Sequence, residues 1–346
     1  VVPMSGGAVA SLPEGLLDGG AWFRVEAAPN ASTVRRSAER LAVELGMPER
    51  RINDLSIVAA EAAGNLAKHA DEGVLLVRAV RRGGQAGVEL IALDRGPGMA
   101  DLAHSFGDGH STAGTLGIGL GAIVRQATWC DMHSVPGKGT VLAVQVWPGE
   151  PPTTPWAAGI TRPITGEPIS GDAFAVRDAD GRRQVMMCDG LGHGGPAAAA
   201  AHEAVRAFID APAAPPAAVL EHLHRRISHT RGAAVAVAEL DAGAGLVRYA
   251  GLGNIAGTVL TPGLPRKGMV SLPGITGHQR RQIREFDYPI TRDAIVLMHS
   301  DGVVDRWDPA DYPGLLVRSP LVIAATVLRD AGVRRDDAGV LVARLP

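Results

Sequence analysis

Apolar residues recur at helical spacing over residues 32–45, with Gly46 as a stop, and again over 49–70, which predicts two amphipathic helices. The period then drops to two: residues 74–81 and 88–94 alternate as strands around a glycine-rich turn at 83–87, an antiparallel hairpin. A loop, a helix near 118–128 and strands near 132–135 and 140–147 follow. Strands near 173–177 and 185–188 then precede two alanine-rich helices, 195–209 and 217–229. Short strands are expected at 233–240, 246–250, 282–286 and 294–299, then a helix at 320–331 and a strand at 338–344.

Four prolines fall among residues 148–155, which forbids helix or central strand and marks a domain boundary. The expected organisation is an extension at 1–23, a first domain at 24–147, a linker at 148–157 and a second domain at 158–346. Helices first, then hairpins with one inserted helix, describe an α+β layer with helices on one sheet face rather than a Rossmann domain. The second domain reads as a sandwich of sheets flanked by helices.

Composition narrows the function classes. With 346 residues, 46% apolar and 20% charged, each half is able to bury a core, and 4% aromatic content leaves the packing to aliphatic side chains and alanine. The formal charge of -2, with Lys and Arg dispersed, provides no footprint for nucleic acid. Two cysteines without a CxxC pair argue against a disulfide framework or a zinc site and point to a reducing cytoplasm. The first twenty residues lack the basic and apolar regions of a signal peptide, and no run approaches the roughly 20 apolar residues of a membrane span.

In the second helix Glu61 and Asn65 stand at i and i+4 on one face. The pair reads either as a solvated helix edge or as a carboxylate base beside an amide oxygen that ligates Mg²⁺. Asp94-Arg95-Gly96-Pro97-Gly98-Met99 follows a strand, where an aspartate is able to accept from an adenine amine while its glycines admit the base. Gly114-Thr115-Leu116-Gly117-Ile118-Gly119-Leu120-Gly121 is a glycine loop opening a helix, whose first N–H groups suit a triphosphate. No GxxxxGK[ST] is present, and Pro136-Gly137-Lys138-Gly139 reads as a hairpin turn.

In this order and spacing the three motifs resemble the Bergerat-fold (GHKL) ATPases, and residues 24–147 resemble the small RsbT and RsbW/SpoIIAB serine kinases of bacterial stress signalling. The segment Asp108-Gly109-His110-Ser111-Thr112 is especially similar to the RsbT type. The resemblance implies ATP with Mg²⁺, Glu61 as base, Asn65 as the Mg²⁺ ligand and Asp94 as the adenine reader beside Gly96, Gly98 and Met99. It also implies phosphate contacts from Gly114, Thr115, Leu116, Gly117, Gly119 and Lys68, and support of the adenine site by Thr140.

Beyond the linker, acidic residues stand at strand ends or turns: Ser170-Gly171-Asp172, Cys188-Asp189-Gly190, His299-Ser300-Asp301-Gly302 and Arg335-Asp336-Asp337. Singly each reads as a turn residue; together they are able to converge on two divalent cations bridging a water. The spacing resembles PP2C-type serine/threonine phosphatases, more narrowly the SpoIIE family, and Asp189-Gly190-Leu191-Gly192-His193-Gly194 with Gly251-Leu252-Gly253-Asn254-Ile255 is similar to its compact RsbX branch. That resemblance implies Asp172, Asp189, Asp301, Asp336 and the Gly190 carbonyl as ligands of two Mn²⁺ or Mg²⁺ ions. No arginine matches the phosphate-binding arginine of the eukaryotic enzymes, and His193 reads either as a proton donor or as a turn histidine.

Together the resemblances imply a cytoplasmic regulator that phosphorylates and dephosphorylates serine on a STAS-domain antagonist protein in a partner-switching pathway. The alternative keeps only the phosphatase catalytic and makes the first domain an ATP-binding regulatory or anti-sigma binding module.

Overall fold

The computed structural model describes residues 20–100, 116–153, 155–280 and 282–345. The chain divides into two compact units, Val1–Thr154 with Tyr312–Val322, and Pro155–Asp311 with Ile323–Pro346. Residues 312–322 therefore count with the first unit, where Ser319 N–H donates to Asp131 Oδ2 at 2.7 Å.

The first unit begins with β1 (Ala21–Arg24), which pairs antiparallel with Val74–Val77; its four residues carry too short a pattern to be read as a strand. Helices α1 (Ala28–Glu44) and α2 (Glu49–His69) follow. The first starts four residues earlier than expected, with a proline in its opening turn, where a missing N–H costs no intrahelical bond. Strands β2 (Val74–Arg82) and β3 (Gln85–Leu93) form the hairpin, but its turn is only Gly83-Gly84, both at positive φ. That is the two-residue connection whose twist matches paired strands, so the strands extend into residues expected to be loop. Helix α3 (Leu116–Gln126) and strands β4 (Trp129–Val135) and β5 (Gly139–Val146) complete an antiparallel sheet in the order β1-β2-β3-β5-β4.

Val34, Ala38, Leu55, Val58, Leu66 and Ile123 of the helices pack on Leu75, Val77, Leu90 and Val144 of one sheet face. Each fully buried Leu contributes roughly 1.5–3 kcal/mol. On the other face Arg78, Glu89 and Gln145 lie in register on neighbouring strands. Glu89 accepts from Arg78 at 2.7 Å and from Gln145 at 2.6 Å, so its buried charge is matched by donors.

In the second unit β6 (Ala157–Arg162), β7 (Asp172–Ala179) and β8 (Arg182–Gly190) lead to helices α4 (Gly195–Ile209) and α5 (Pro216–Arg226). Strands β9 (Ala233–Asp241), β10 (Leu246–Leu252), β11 (Ala256–Leu260), β12 (Lys267–Met269), β13 (Ser271–Leu272), β14 (Phe286–Pro289) and β15 (Ile295–His299) follow. Helix α6 (Pro320–Ala331) and β16 (Ala338–Arg344) close the chain. One sheet runs β13-β10-β9-β8-β7 with β14 also on β10; the other runs β12-β11-β15-β16-β6. The strand expected at 282–286 lies instead at Phe286–Pro289 on β10, its proline at the end of the ladder, where a missing N–H is tolerated.

A polar row crosses the first of these sheets: Arg177, Gln184, Glu239 and Arg248 are register partners from β7 to β10. Arg177 Nη1 also donates to the carbonyls of Phe208 and Ala211, both at 2.6 Å, satisfying carbonyls at the end of α4.

Candidate active sites

In the first unit, Asp94 follows β3 and its N–H donates to Thr140 O at 3.0 Å on β5. Its Oδ1 accepts from Gly96 N–H at 2.8 Å, an Asx turn that holds the carboxylate in place. Met99 N–H donates to Ser134 Oγ at 2.8 Å, and that hydroxyl lies 2.9 Å from Thr140 Oγ1, so β4 and β5 anchor the loop. Gly98 has φ +66° and a Cβ there would collide with the carbonyl of Val135; at Gly96 it would lie 2.6 Å from His69 O. These glycines therefore make room for neighbouring backbone, where the sequence led to the expectation of room for a base.

Asn65, His69, Asp94, Gly98, Met99 and Thr140 line a cleft floored by Ala62, Leu66, Leu120, Met132 and Leu142. An apolar floor with one fixed carboxylate is able to receive a flat ring bearing a hydrogen-bond donor. Glu61 and Lys68 are not among the lining residues; Glu61 is half-buried and Lys68 exposed. A Cβ on Gly119 would lie 2.7 Å from Glu61 Oε2 and 3.3 Å from Asn65 Oδ1, so that glycine sits inside α3 and brings the helix against both side chains. Leu116 and Gly117 open α3, whereas Gly114, Thr115 and the 108–112 segment lie outside the described residues. Sequence reading missed His69, although it stands one turn beyond Asn65, and Ser134, which only the hairpin register brings to the loop.

The second unit gathers its acidic residues at one end of both sheets. Asp172 opens β7 and faces Asp189 near the end of β8 as a direct register pair. Like charges directly opposite each other destabilise a sheet, a repulsion that a proton or a bound cation relieves. Asp301 follows β15, and Asp336 and Asp337 precede β16. Ser300 bridges the sheets: its hydroxyl donates to Asp172 Oδ2 at 2.5 Å and accepts from Gly339 N–H at 2.9 Å. Asp172 Oδ1 is buried with no hydrogen-bond partner among the described residues. Asn254 donates to Asp301 Oδ2 at 2.7 Å. Ser300 and Asn254 were missed as site residues, although both lie inside motifs legible in the chain.

The adjacent aspartates 336 and 337 have different surroundings. Asp337 is buried and spends both oxygens on backbone, accepting from Ile164 N–H and Gly171 N–H at 2.8 Å each. Among the described residues Asp336 accepts only from Asp337 N–H, at 2.9 Å through Oδ1. Gly190 lies where a Cβ would collide with the Ala197 carbonyl, so α4 packs directly on its backbone. His193 is exposed with Nδ1 3.2 Å from Glu167 Oε1; its partner is a carboxylate, not the backbone of its own turn. Cys188 is fully buried on β8 and burial pushes its thiol pKa up, as suits a packing residue.

Burial raises the pKa of Asp172 well above the carboxylate range, and the charges of Asp189, Asp337 and Asp301 add to this. Burial, then Asp301, Asp336 and Asp337, push Asp189 up to about 7. Burial and Asp336 likewise raise Asp301. Among the described residues no three His, Cys, Asp or Glu side chains close around a single point as a ready cage. Mg²⁺ is usually held by only one or two carboxylates plus waters, so an oxygen-only cluster with an unpartnered buried oxygen fits a hard divalent cation.

Residues 23–146 match the histidine kinase-like ATPase domain family, and residues 179–346 match Stage II sporulation protein E (SpoIIE). The serine/threonine-protein kinase RsbT of Bacillus subtilis (strain 168) is 32% identical over 113 residues, 33% of this chain and 85% of RsbT. The chain belongs to the RsbT family. It joins that kinase-like ATPase domain to a SpoIIE-type PP2C phosphatase domain. A protein from a structure of the bacterial stressosome, described as a modular system adapted to control secondary messenger signaling, is 30% identical, with a TM-score of 0.49 over 54% of this chain and 98% of its own. RsbX in complex with magnesium is 16% identical, with a TM-score of 0.47 over 55% of this chain and 94% of its own. Domains of these two classes bind ATP and use Mg²⁺ or Mn²⁺, respectively. Among the described residues no helix is long and apolar enough to cross a membrane.

The carboxylate cluster of this RsbT-family chain makes its metal-free stability depend on pH. Asp189 has a folded pKa of about 7 against 3.8 as its reference, so the native state holds the extra proton between those values. Stability should then fall as pH rises through that window, the reverse of an ordinary ion-paired carboxylate. In chelator, the melting temperature should drop between pH 5 and 8 by several degrees relative to Asp189→Asn, at roughly 2–4 °C per kcal/mol. Mn²⁺ should raise it more at pH 8 than at pH 5. Parallel melting curves for the two proteins across this range would reject the charge assignment.

Proposed function

We propose that the chain is a two-way serine phosphorylation regulator, its first domain transferring phosphate from Mg²⁺-ATP to a serine of a STAS-domain protein and its second removing it. The observation that carries the reading is the occurrence, on one chain, of an aspartate-anchored apolar cleft and a cluster of mutually repelling carboxylates. A cytoplasmic location is part of the same proposal.

In the first domain, Asp94 accepts from the adenine amine, Thr140 and Ser134 hold the loop, and Asn65 offers its amide oxygen to Mg²⁺. Glu61, against α3, orients or deprotonates the acceptor hydroxyl. Gly114, Thr115, Leu116 and Gly117 supply phosphate contacts, and Lys68, exposed on α2, is the added cation. In the second domain Asp172, Asp189, Asp301, Asp336 and the Gly190 carbonyl hold Mn²⁺ or Mg²⁺. When bound, those ions neutralise phosphate charge and activate water. Ser300 and Asn254 orient Asp172 and Asp301, while Asp337 anchors the Gly171 and Ile164 backbone around them.

The test is a two-stage reaction. With ATP and Mg²⁺, a STAS-domain protein should acquire phosphoserine, read by mass spectrometry; after ATP removal, Mn²⁺ should strip the same phosphate. Failure to phosphorylate any STAS protein while nucleotide binds would reject the kinase half.

Nucleotide recognition has its own prediction. Asp94→Asn retains an acceptor for Gly96 N–H, so the turn should survive, but it loses the charge facing the cleft. ATP affinity by calorimetry should weaken about tenfold, about 1.4 kcal/mol, with the melting temperature nearly unchanged. Unaltered affinity would remove Asp94 from the adenine site.

A further inference from the structure

We propose that Arg231 binds the phosphate group of the phosphatase substrate. The inference rests on the phosphatase reading, and it supplies the recognition that the carboxylates cannot. The carboxylates at that end of the sheets repel a phosphate; the ions offset that charge, and a guanidinium beside them adds directed hydrogen bonds to the phosphate oxygens.

Arg231 is brought there by strand register. Asp189 and Gly190 pair with Ala234 and Ala233, and Leu191 N–H donates to Gly232 O at 3.2 Å, extending the pairing by one residue. The next step sets Arg231 beside Gly192, where a Cβ would lie 3.2 Å from Arg231 Nη1. Gly192 stands two residues beyond Gly190, and with φ +91° it keeps this approach open. The Arg231 side chain is exposed and enters no ion pair among the described residues. The other basic group of that loop, His193, is engaged by Glu167. A guanidinium free at the rim is suited to two parallel hydrogen bonds to phosphate oxygens.

The test compares wild type, Arg231→Ala and Arg231→Lys. Calorimetry measures inorganic phosphate binding in Mn²⁺ and Mn²⁺ binding alone; turnover of a phosphoserine peptide gives KM and kcat. For Arg231→Ala we expect phosphate affinity to weaken at least tenfold and KM to rise similarly, with Mn²⁺ affinity and melting temperature unchanged. Lysine should recover part of the loss. Phosphate binding equal in wild type and Arg231→Ala, no phosphate binding by wild type, or loss of Mn²⁺ binding together with phosphate would each overturn the proposal. Arginine-dependent phosphate binding without any hydrolysis by wild type would leave Arg231 as the anion site and reject the phosphatase reading alone.

Discussion

Asp189→Asn is expected to lower Mn²⁺-dependent release of phosphate from phosphoserine at least about 100-fold, the upper range for outer partners of a metal site and a lower bound for a ligand. That loss corresponds to about 2.7 kcal/mol of transition-state stabilisation. The same substitution should make the metal-free protein more stable above pH 7. Asp189 faces Asp172 directly across β7 and β8, and its charge is opposed further by Asp301, Asp336 and Asp337. Asparagine removes that repulsion at nearly constant shape. An inactive variant that melts higher in chelator excludes unfolding as the cause, because unfolding moves both readings downward. Normal phosphate release by Asp189→Asn would refute the metal assignment, and lower metal-free stability would refute the electrostatic account.

The longer elements were legible because their pattern is local. Helices α4 and α6 and strand β16 occupy the residues that hydrophobic spacing and the flanking Gly and Pro marked out. Strands β1, β12 and β13 have four residues or fewer, too short for a period to register, while β6, Ala-Ala-Gly-Ile-Thr-Arg, offers a weak pattern. The same division holds at the sites. Asp172, Asp189 and Asp301 stand beside glycine or at turns, which draws attention to them in the chain. The distinct settings of Asp336 and Asp337 depend on where Ile164 and Gly171 arrive from, more than 160 residues away in sequence. Arg231 is a similar case: nothing near it in the chain points to phosphate, and only the pairing of β8 with β9 carries it to the Asp189 loop.

Glu61→Gln is expected to separate transfer from binding in the first domain. If Glu61 is the base, serine phosphorylation should fall about 100- to 10,000-fold, the range for losing a positioned general base. ATP affinity should change little, because Glu61 lies outside the lining of the cleft. Glutamine keeps the length of the side chain beside Gly119, so the contact of α2 with α3 has no steric reason to change. Alanine would instead leave space there, making glutamine the cleaner variant. Phosphoserine formation by mass spectrometry and nucleotide affinity by calorimetry give the two readings. Undiminished phosphorylation would remove Glu61 from the mechanism. Retained partner regulation by a variant that binds ATP but transfers nothing would show regulation without transfer, a separation the variant can make because Glu61 stands apart from the residues that line the cleft.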